Sequence, residues 1–263
     1  MTRLAVLSDI HGNLLALDAV LADIQAQGTP DAYWVLGDLV AFYPWPAEAL
    51  ARLRALPDVA FLRGNTDRYL VTGRRPAVPV RSPDDWAQMP ARLAMRDANF
   101  RWTVERLPYA GYEFLRGLPP RLEMEIPGYG RVVAVHATPS PSQGEGRGGG
   151  IDDETFLYPD TPDDEIRPHL VGLDARLLLY GHTHRAVDRT IDSLRLVNAG
   201  SVGLPLDGDS RPAYALLEFA GERCTVTVRR VGYDIEAVIA ELERVAHPAR
   251  AWVGRLIRRA KAQ

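Results

Sequence analysis

Cysteine is almost absent from this chain. Cys224 is the only one in 263 residues, so no intramolecular disulfide can form. It alternates with Val226 and Val228 against Thr225 and Thr227, the pattern of a small apolar residue facing a core rather than of a nucleophile. Lysine is equally scarce: Lys261 stands alone, the other basic residues are arginines, and we read this as genomic base composition. Positive charge is not in excess either. With 31 Lys+Arg against 34 Asp+Glu the net charge is −3, which argues against a dedicated nucleic-acid binder. No apolar run reaches membrane-spanning length. The stretch from Met1 to Ser8 leads straight into a strand pattern with no signal-peptide cleavage pattern, so the expected location is cytoplasmic. What remains is ordinary for a globular protein: 46% hydrophobic and 25% charged residues, enough for one large domain or two small ones.

Apolar patterning divides the chain into short elements. Arg3 to Leu7 reads as a buried strand, after which Leu14, Leu17, Leu21 and Ile24 recur at helical spacing up to Gly28. Tyr33 to Leu36 and Val59 to Leu62 are further strands, with a helix expected over Ala47 to Leu56. This alternation predicts parallel βαβ units, whose ligands gather at the C-terminal ends of the strands. Residues 71–120 differ. Ser82-Pro83-Asp84-Asp85 has the chemistry of a helix start, and a helix is expected between prolines over Leu93 to Leu107. The stretch has few apolar positions of its own and reads as a helical excursion rather than a separate domain. Hairpins are expected for Arg121 to Ile126 with Arg131 to Val135, Ala186 to Ile191 with Leu194 to Asn198, and Ala213 to Phe219 with Arg223 to Val231. Arg176 to Tyr180 is another strand, and the C-terminal half reads as antiparallel β. Asp234 caps an amphipathic helix marked by Ile235, Val238, Ile239, Leu242 and Val245. We take 1–263 as a single domain with a helical tail over 234–263. Thr138 to Glu165, rich in Gly, Pro and Asp, reads as a long loop, either a lid leaving from His136 or an insertion without a role. Its run from Gly144 to Gly150 is no phosphate loop, because no Gly-Lys-Ser/Thr follows.

Four polar motifs stand where strands end: Asp9-Ile10-His11, Gly37-Asp38, Gly64-Asn65-Thr66-Asp67 and Gly181-His182-Thr183-His184. His136 follows another apolar run. Packing alone does not call for strands that end in Asp, Asn or His. Carboxylate, carboxamide and imidazole are ligands for divalent metals of intermediate hardness, so the pattern points to a metal site. Asp9 and His11 are two apart, as are His182 and His184; on extended chain each pair points to one side and could grip an ion. One such pair alone is a weak signal; their joint placement at successive strand ends is a strong one.

With these residues in view, the chain resembles the calcineurin-like metallophosphoesterase superfamily, and within it the small prokaryotic phosphodiesterases of the YfcE-like group. The motifs follow the family's order, with spacings of 29 residues from Asp9 to Asp38, 27 to Asn65, 71 to His136 and 46 to His182. The resemblance covers residues 3–231 and extends to Asn198-Ala199-Gly200-Ser201-Val202. It implies an α/β fold, a four-layer αββα sandwich, and two divalent ions, Mn2+ first, with Fe, Zn, Co or Ni also suited. It further implies that Asp9, His11 and His184 hold one ion, Asn65, His136 and His182 the other, and that Asp38 bridges them with an oxygen for each. The catalytic residues would be Asp38, Asn65 and His136. The implied reaction is in-line attack on phosphorus by a hydroxide bridging the ions. Two divalent ions offset by Asp9, Asp38 and hydroxide leave a net charge near +1, which attracts a phosphate anion. Two residues depart from the family pattern. Thr66 stands where phosphoprotein phosphatases carry a histidine that assists the leaving group, which moves the expected substrate toward phosphodiesters. Ala41 replaces an aspartate that is not a ligand. Asp67 is expected to orient Asn65.

The expected partner is a small phosphoester, a nucleotide among the candidates; a homo-oligomer is left open, and membrane and nucleic acid are not expected. Alternatives are a phosphomonoesterase or nuclease on the same site, or a non-catalytic scaffold for protein partners, as in retromer's small subunit. All seven positions hold ligand-competent side chains, against the scaffold. The tail from Arg244 to Gln263 has five arginines, one lysine and no acid, which a nuclease could use; packing of Trp252, Leu256 and Ile257 inward, or into a dimer contact, are the other readings. Tyr43, Pro44 and Trp45 are expected to overhang the site as wall residues, and His169 and His247 to occupy surface or cap positions.

Overall fold

The computed structural model describes residues 2–77, 80–139 and 157–261. The chain opens with β1 (Thr2–Leu7) and α1 (Leu14–Ala26). Asn13 starts α1 by accepting the Ala16 N–H, and Ala16, Leu17, Val20, Leu21 and Ile24 form its buried face. β2 (Ala32–Val35), α2 (Pro46–Arg54) and β3 (Val59–Phe61) follow. β1, β2 and β3 run parallel, as the alternation of strand and helix requires. α3 (Asn65–Thr72) stops at Gly73, which takes the left-handed cap.

The excursion is helical, but one element longer than its pattern suggests. α4 (Pro83–Arg106) passes through Pro90 without a break, where two separate pieces were expected. Ser82 caps it by accepting the Asp85 N–H at 3.1 Å, and α5 (Tyr109–Arg116) completes the segment. β4 (Arg121–Ile126) and β5 (Gly130–Val135) form the expected hairpin. Residues 140–156, the middle of the expected long loop, lie outside the described residues. Its far end is packed structure: Leu157 is buried, and α6 (Asp163–Leu170) has already begun by Glu165.

β6 (Leu177–Tyr180), β7 (Val187–Ile191), β8 (Leu194–Asn198), β9 (Ala213–Ala220) and β10 (Arg223–Arg230) complete two five-stranded sheets, β10-β9-β1-β2-β3 and β4-β5-β6-β8-β7. The C-terminal half is not purely antiparallel. β6 runs parallel to both β5 and β8, because the β7–β8 hairpin enters the sheet by its second strand. The β9–β10 hairpin leaves that sheet and joins the first, β9 lying antiparallel to β1.

The sheets stack through Leu4, Val6, Trp34 and Leu36 on one side and Val132, Ala134, Leu177, Leu179 and Val197 on the other. The opposite face of the first sheet buries Ala5, Leu7 and Val35 beneath α1 and α2. The opposite face of the second buries Leu178, Tyr180 and Leu196 with Ile166 of α6. The result is the four-layer αββα arrangement. Cys224 and Val226 face the inter-sheet core. α7 (Ile235–Arg244), capped by Asp234, and α8 (Arg250–Arg259) pack through Val238, Leu242, Val253, Leu256 and Ile257 onto Tyr43 and Leu204. Among the described residues no helix is long and apolar enough to cross a membrane.

Candidate metal centre

Parallel β1, β2 and β3 end side by side, and so do β5 and β6 of the facing sheet. Asp9, Asp38 and Asn65 follow the first group, and His136, His182 and His184 the second, so stacking the sheets brings the motifs together. The turns that do this are strained. Asp9, His11, Asp38, His182 and His184 all have φ between 54° and 66°, the left-handed region that side chains other than glycine avoid. The pairs therefore do not converge by the alternation of extended chain, as their spacing suggested; each residue is turned inward individually. Such conformations cost about 1–3 kcal/mol apiece and persist where the surroundings over-determine them.

Those surroundings are hydrogen bonds and close backbone approach. Asp9 Oδ2 accepts from Ser8 Oγ at 2.7 Å and from the His182 N–H at 3.0 Å. The Asp9 carbonyl accepts from Ser201 Oγ and from the Gly203 N–H, both at 2.8 Å. Asn198 donates to the Gly181 carbonyl at 2.6 Å. The stretch from Asn198 to Val202 is thus a clamp on two of the motifs. A Cβ at Gly181 would overlap Ser8 Oγ, and one at Gly64 would overlap Asp38, so both positions require glycine. Among the described residues Asp67 binds backbone groups rather than the Asn65 side chain. It accepts the backbone N–H groups of Asp38, Leu39 and Gly64 at 2.8, 3.0 and 2.9 Å and fastens the second motif to the third. Burial, and then the charge of Asp38, push its carboxyl up to about 7 against those donors.

Ligand atoms of Asp9, His11, Asp38 and His184, all buried, lie within 4.8 Å of one another. His184 Nε2 is 3.2 Å from both Asp9 Oδ1 and His11 Nε2. A second group adjoins it: Asn65 Oδ1 is 2.8 Å from His136 Nε2 and 2.9 Å from His182 Nδ1, so His182 turns Nδ1 to this group. Asp38 Oδ2 lies between the groups, 3.7 Å from His11 Nε2 and 3.5 Å from His136 Nε2. Its Oδ1 is held by the Thr66 N–H at 2.8 Å, so one oxygen, rather than one for each group, faces both.

The donor set fits divalent cations. Asp9 Oδ1 is buried with no hydrogen-bond partner among the described residues. His136 and His184 direct Nδ1 to the carbonyls of Leu36 and Leu204, which leaves Nε2 as an inward lone pair. Burial pulls the His11 imidazole down to about 4 and the His182 imidazole to about 3, so both are neutral ligands at pH 7. Burial would do the same to His136, but the charges of Asp38 and then Asp9 outweigh it and raise that ring to about 10. His184 is raised too, burial being outweighed by Asp9. Two buried carboxylates thus draw positive charge into the centre, which cations supply better than protons.

All seven sequence-derived candidates therefore meet at one place. Of the expected wall, Tyr43 and Pro44 are buried and Trp45 half-buried, and the Tyr43 N–H donates to the His11 carbonyl at 3.0 Å. Phe42 joins it, its ring 4.7 Å from that of His11. No motif marked Phe42; its signal is a bulky residue at φ 96°. His169 is half-buried in the last turn of α6, but His247 is fully buried, a cap rather than a surface residue. Three tail arginines are paired with acids, Arg244 with Glu241, Arg250 with Glu243 and Arg258 with Glu236.

The model of the calcineurin-like phosphoesterase superfamily domain matches residues 2–222 of this sequence. The chain belongs to that superfamily. An uncharacterised protein of Methanocaldococcus jannaschii is 29% identical over 267 residues, covering 96% of each chain. Two solved structures share the fold at full length. A hypothetical protein of Pyrococcus horikoshii has a TM-score of 0.77 at 24% identity, covering 100% of both chains. A metallophosphoesterase of Sphaerobacter thermophilus has a TM-score of 0.71 at 24% identity, covering 98% of this chain and 99% of that one.

Proposed function

We propose that this protein is a dinuclear metal-dependent phosphodiesterase. The observation that carries the reading is the convergence of seven ligand-competent side chains on two adjoining groups, with Asp38 Oδ2 within 3.7 Å of an imidazole nitrogen from each. Asp9, His11 and His184 would hold one ion, Asn65, His136 and His182 the other, with Asp38 serving both; Mn2+ is the first choice. When bound, the ions supply Lewis-acid charge to the phosphoryl oxygens and bring the pKa of a water toward neutrality. The chain fixes the geometry: the Thr66 N–H anchors Asp38, Asp67 fastens the Asp38 backbone, and Ser201 holds the turn at Asp9.

Diester preference rests on charge and on Thr66. A phosphodiester monoanion neutralises a centre of net charge near +1, whereas a monoester dianion overshoots it. The threonine hydroxyl has no useful acidity near neutral pH, so position 66 gives no proton to an alkoxide leaving group. Nuclease activity is disfavoured by the ion pairs that occupy three of the five tail arginines, Arg244, Arg250 and Arg258.

The test couples elemental analysis after Mn2+ loading with a panel of mono-, di- and cyclic phosphoesters. Two ions per chain and faster turnover of diesters are expected, with Asp38→Asn lowering kcat/KM by roughly 100-fold or more, on the scale of lost metal-assisted charge stabilisation. Fewer than one ion per chain, or full activity in Asp38→Asn, would sink the reading.

A further inference from the structure

The family match ends at residue 222, yet the helices beyond it pack on Phe42 and Leu204, which touch the histidines of the metal centre. A ligand imidazole is ordinarily fixed by a hydrogen bond on its other ring nitrogen. His11 lacks that support, for its Nδ1 is buried with no hydrogen-bond partner among the described residues. Its ring rests on Phe42 instead, with centroids 4.7 Å apart. Phe42 is itself held in a costly conformation at φ 96°. What it packs against is Trp252 of α8, edge-on at 5.3 Å.

His184, whose Nε2 is 3.2 Å from that of His11, leads to the same helices. Its Nδ1 is anchored on the Leu204 carbonyl, and Leu204 lies in one apolar cluster with Val238, Leu242, Val253 and Ile257 of α7 and α8. The Gly208 N–H donates to the Ala260 carbonyl at 2.7 Å and ties the same segment to the end of α8. The second group is supported elsewhere. His136 is anchored on Leu36 of the inter-sheet core, and His182 faces Asn65.

We propose that the C-terminal helix pair sets the metal affinity of the Asp9–His11–His184 subsite and leaves the Asn65–His136–His182 subsite to the sheets. Trp252 is the positioning residue, acting through Phe42 on the ring of His11. The inference rests on the dinuclear reading above.

The experiment titrates Mn2+ into the metal-stripped full-length chain by calorimetry, with the electron paramagnetic resonance signal of coupled Mn2+ pairs as a second readout. For Trp252→Leu we expect one of two binding constants to weaken by roughly tenfold or more, as for other supports of metal ligands, and the coupled-pair signal to fall at limiting metal. The other constant should stay within about twofold, and Trp252→Phe, which keeps an aromatic edge, should restore the first. Phe42→Leu should reproduce Trp252→Leu and serves in its place if that variant fails to fold. Unchanged constants, or an equal loss at both subsites, overturn the inference. Two-site binding in the wild type without hydrolysis of any phosphoester removes the phosphodiesterase reading and leaves this inference standing. Absence of Mn2+ binding in the wild type removes both.

Discussion

At the scale of single residues, the ligand candidates trade backbone comfort for position. Which residue types form the centre was legible, since Asp, Asn and His at strand ends have little packing use. How they converge was not, because an i, i+2 spacing says nothing of φ, and the left-handed turns depend on distant partners: Ser201 and Gly203 bind the Asp9 carbonyl, the Tyr43 N–H binds that of His11, the His182 N–H donates to Asp9 Oδ2, and the Leu206 N–H binds the His184 carbonyl. His247 shows the same limit away from the centre. It is fully buried, accepts the Ala249 N–H on Nδ1 at 3.2 Å, and packs edge-on against Trp102. Burial, and then Arg106 and Arg250, pull its imidazole down to about 4. The unfolded chain, with His near 6.5, binds that proton first, so this contribution to stability is present above about 6.5 and is lost as pH falls toward 4. A shift of this size corresponds to something on the order of 3 kcal/mol. His247→Asn keeps an acceptor for Ala249 and does not titrate. Its urea midpoint should therefore fall less between pH 7 and pH 4.5 than that of the wild type, and parallel falls would contradict the assignment.

At the scale of elements, local pattern was a good guide to type and a poor one to continuity. α1 stops short of Gly28 and α7 starts after Asp234, both where capping chemistry placed them. α4 is the exception. Pro90 has no N–H for the Trp86 carbonyl, and its ring crowds the preceding turn, yet the helix continues. Ser82 caps the start, and Phe100 and Thr103 bury its far end, so the ends hold a helix that the middle disfavours. Pro90→Ala should slow amide exchange across residues 86–94 by a factor reflecting up to about 3 kcal/mol, the helix cost of proline. Exchange that stays at wild-type rates would show that the helix bears no such strain. The strands carry a related lesson: each hairpin could be recognised from its own pattern, but not the neighbour it would pair with, as β6 between β5 and β8 demonstrates.

At the scale of the whole molecule, the centre joins the two sheets. His136, after β5, binds the Leu36 carbonyl at 2.6 Å, and His182, after β6, donates its N–H to Asp9, after β1. Ions that bind only the folded chain should therefore stabilise it as a unit. At 100 times the dissociation constant one ion contributes about 2.7 kcal/mol. For a chain of this size that corresponds to a rise in Tm on the order of 5–10 °C. Calorimetry with Mn2+ and with EDTA checks this, and equal Tm values in the two would mean that the folded chain holds no ion. Asp38→Asn should lose most of the rise, because it removes charge that faces both groups.

The sequence by itself determined most of the strands and helices and the seven polar candidates, because strand and helix periods and ligand chemistry are local properties of a chain; the four-layer arrangement was implied only by the family resemblance. The sequence did not determine that β9 and β10 return to the first sheet, that one oxygen of Asp38 faces both groups, or that the ring of Phe42 packs on His11. Those were decided by tertiary structure, since each depends on which apolar faces and which backbone donors remain to be satisfied once distant segments meet.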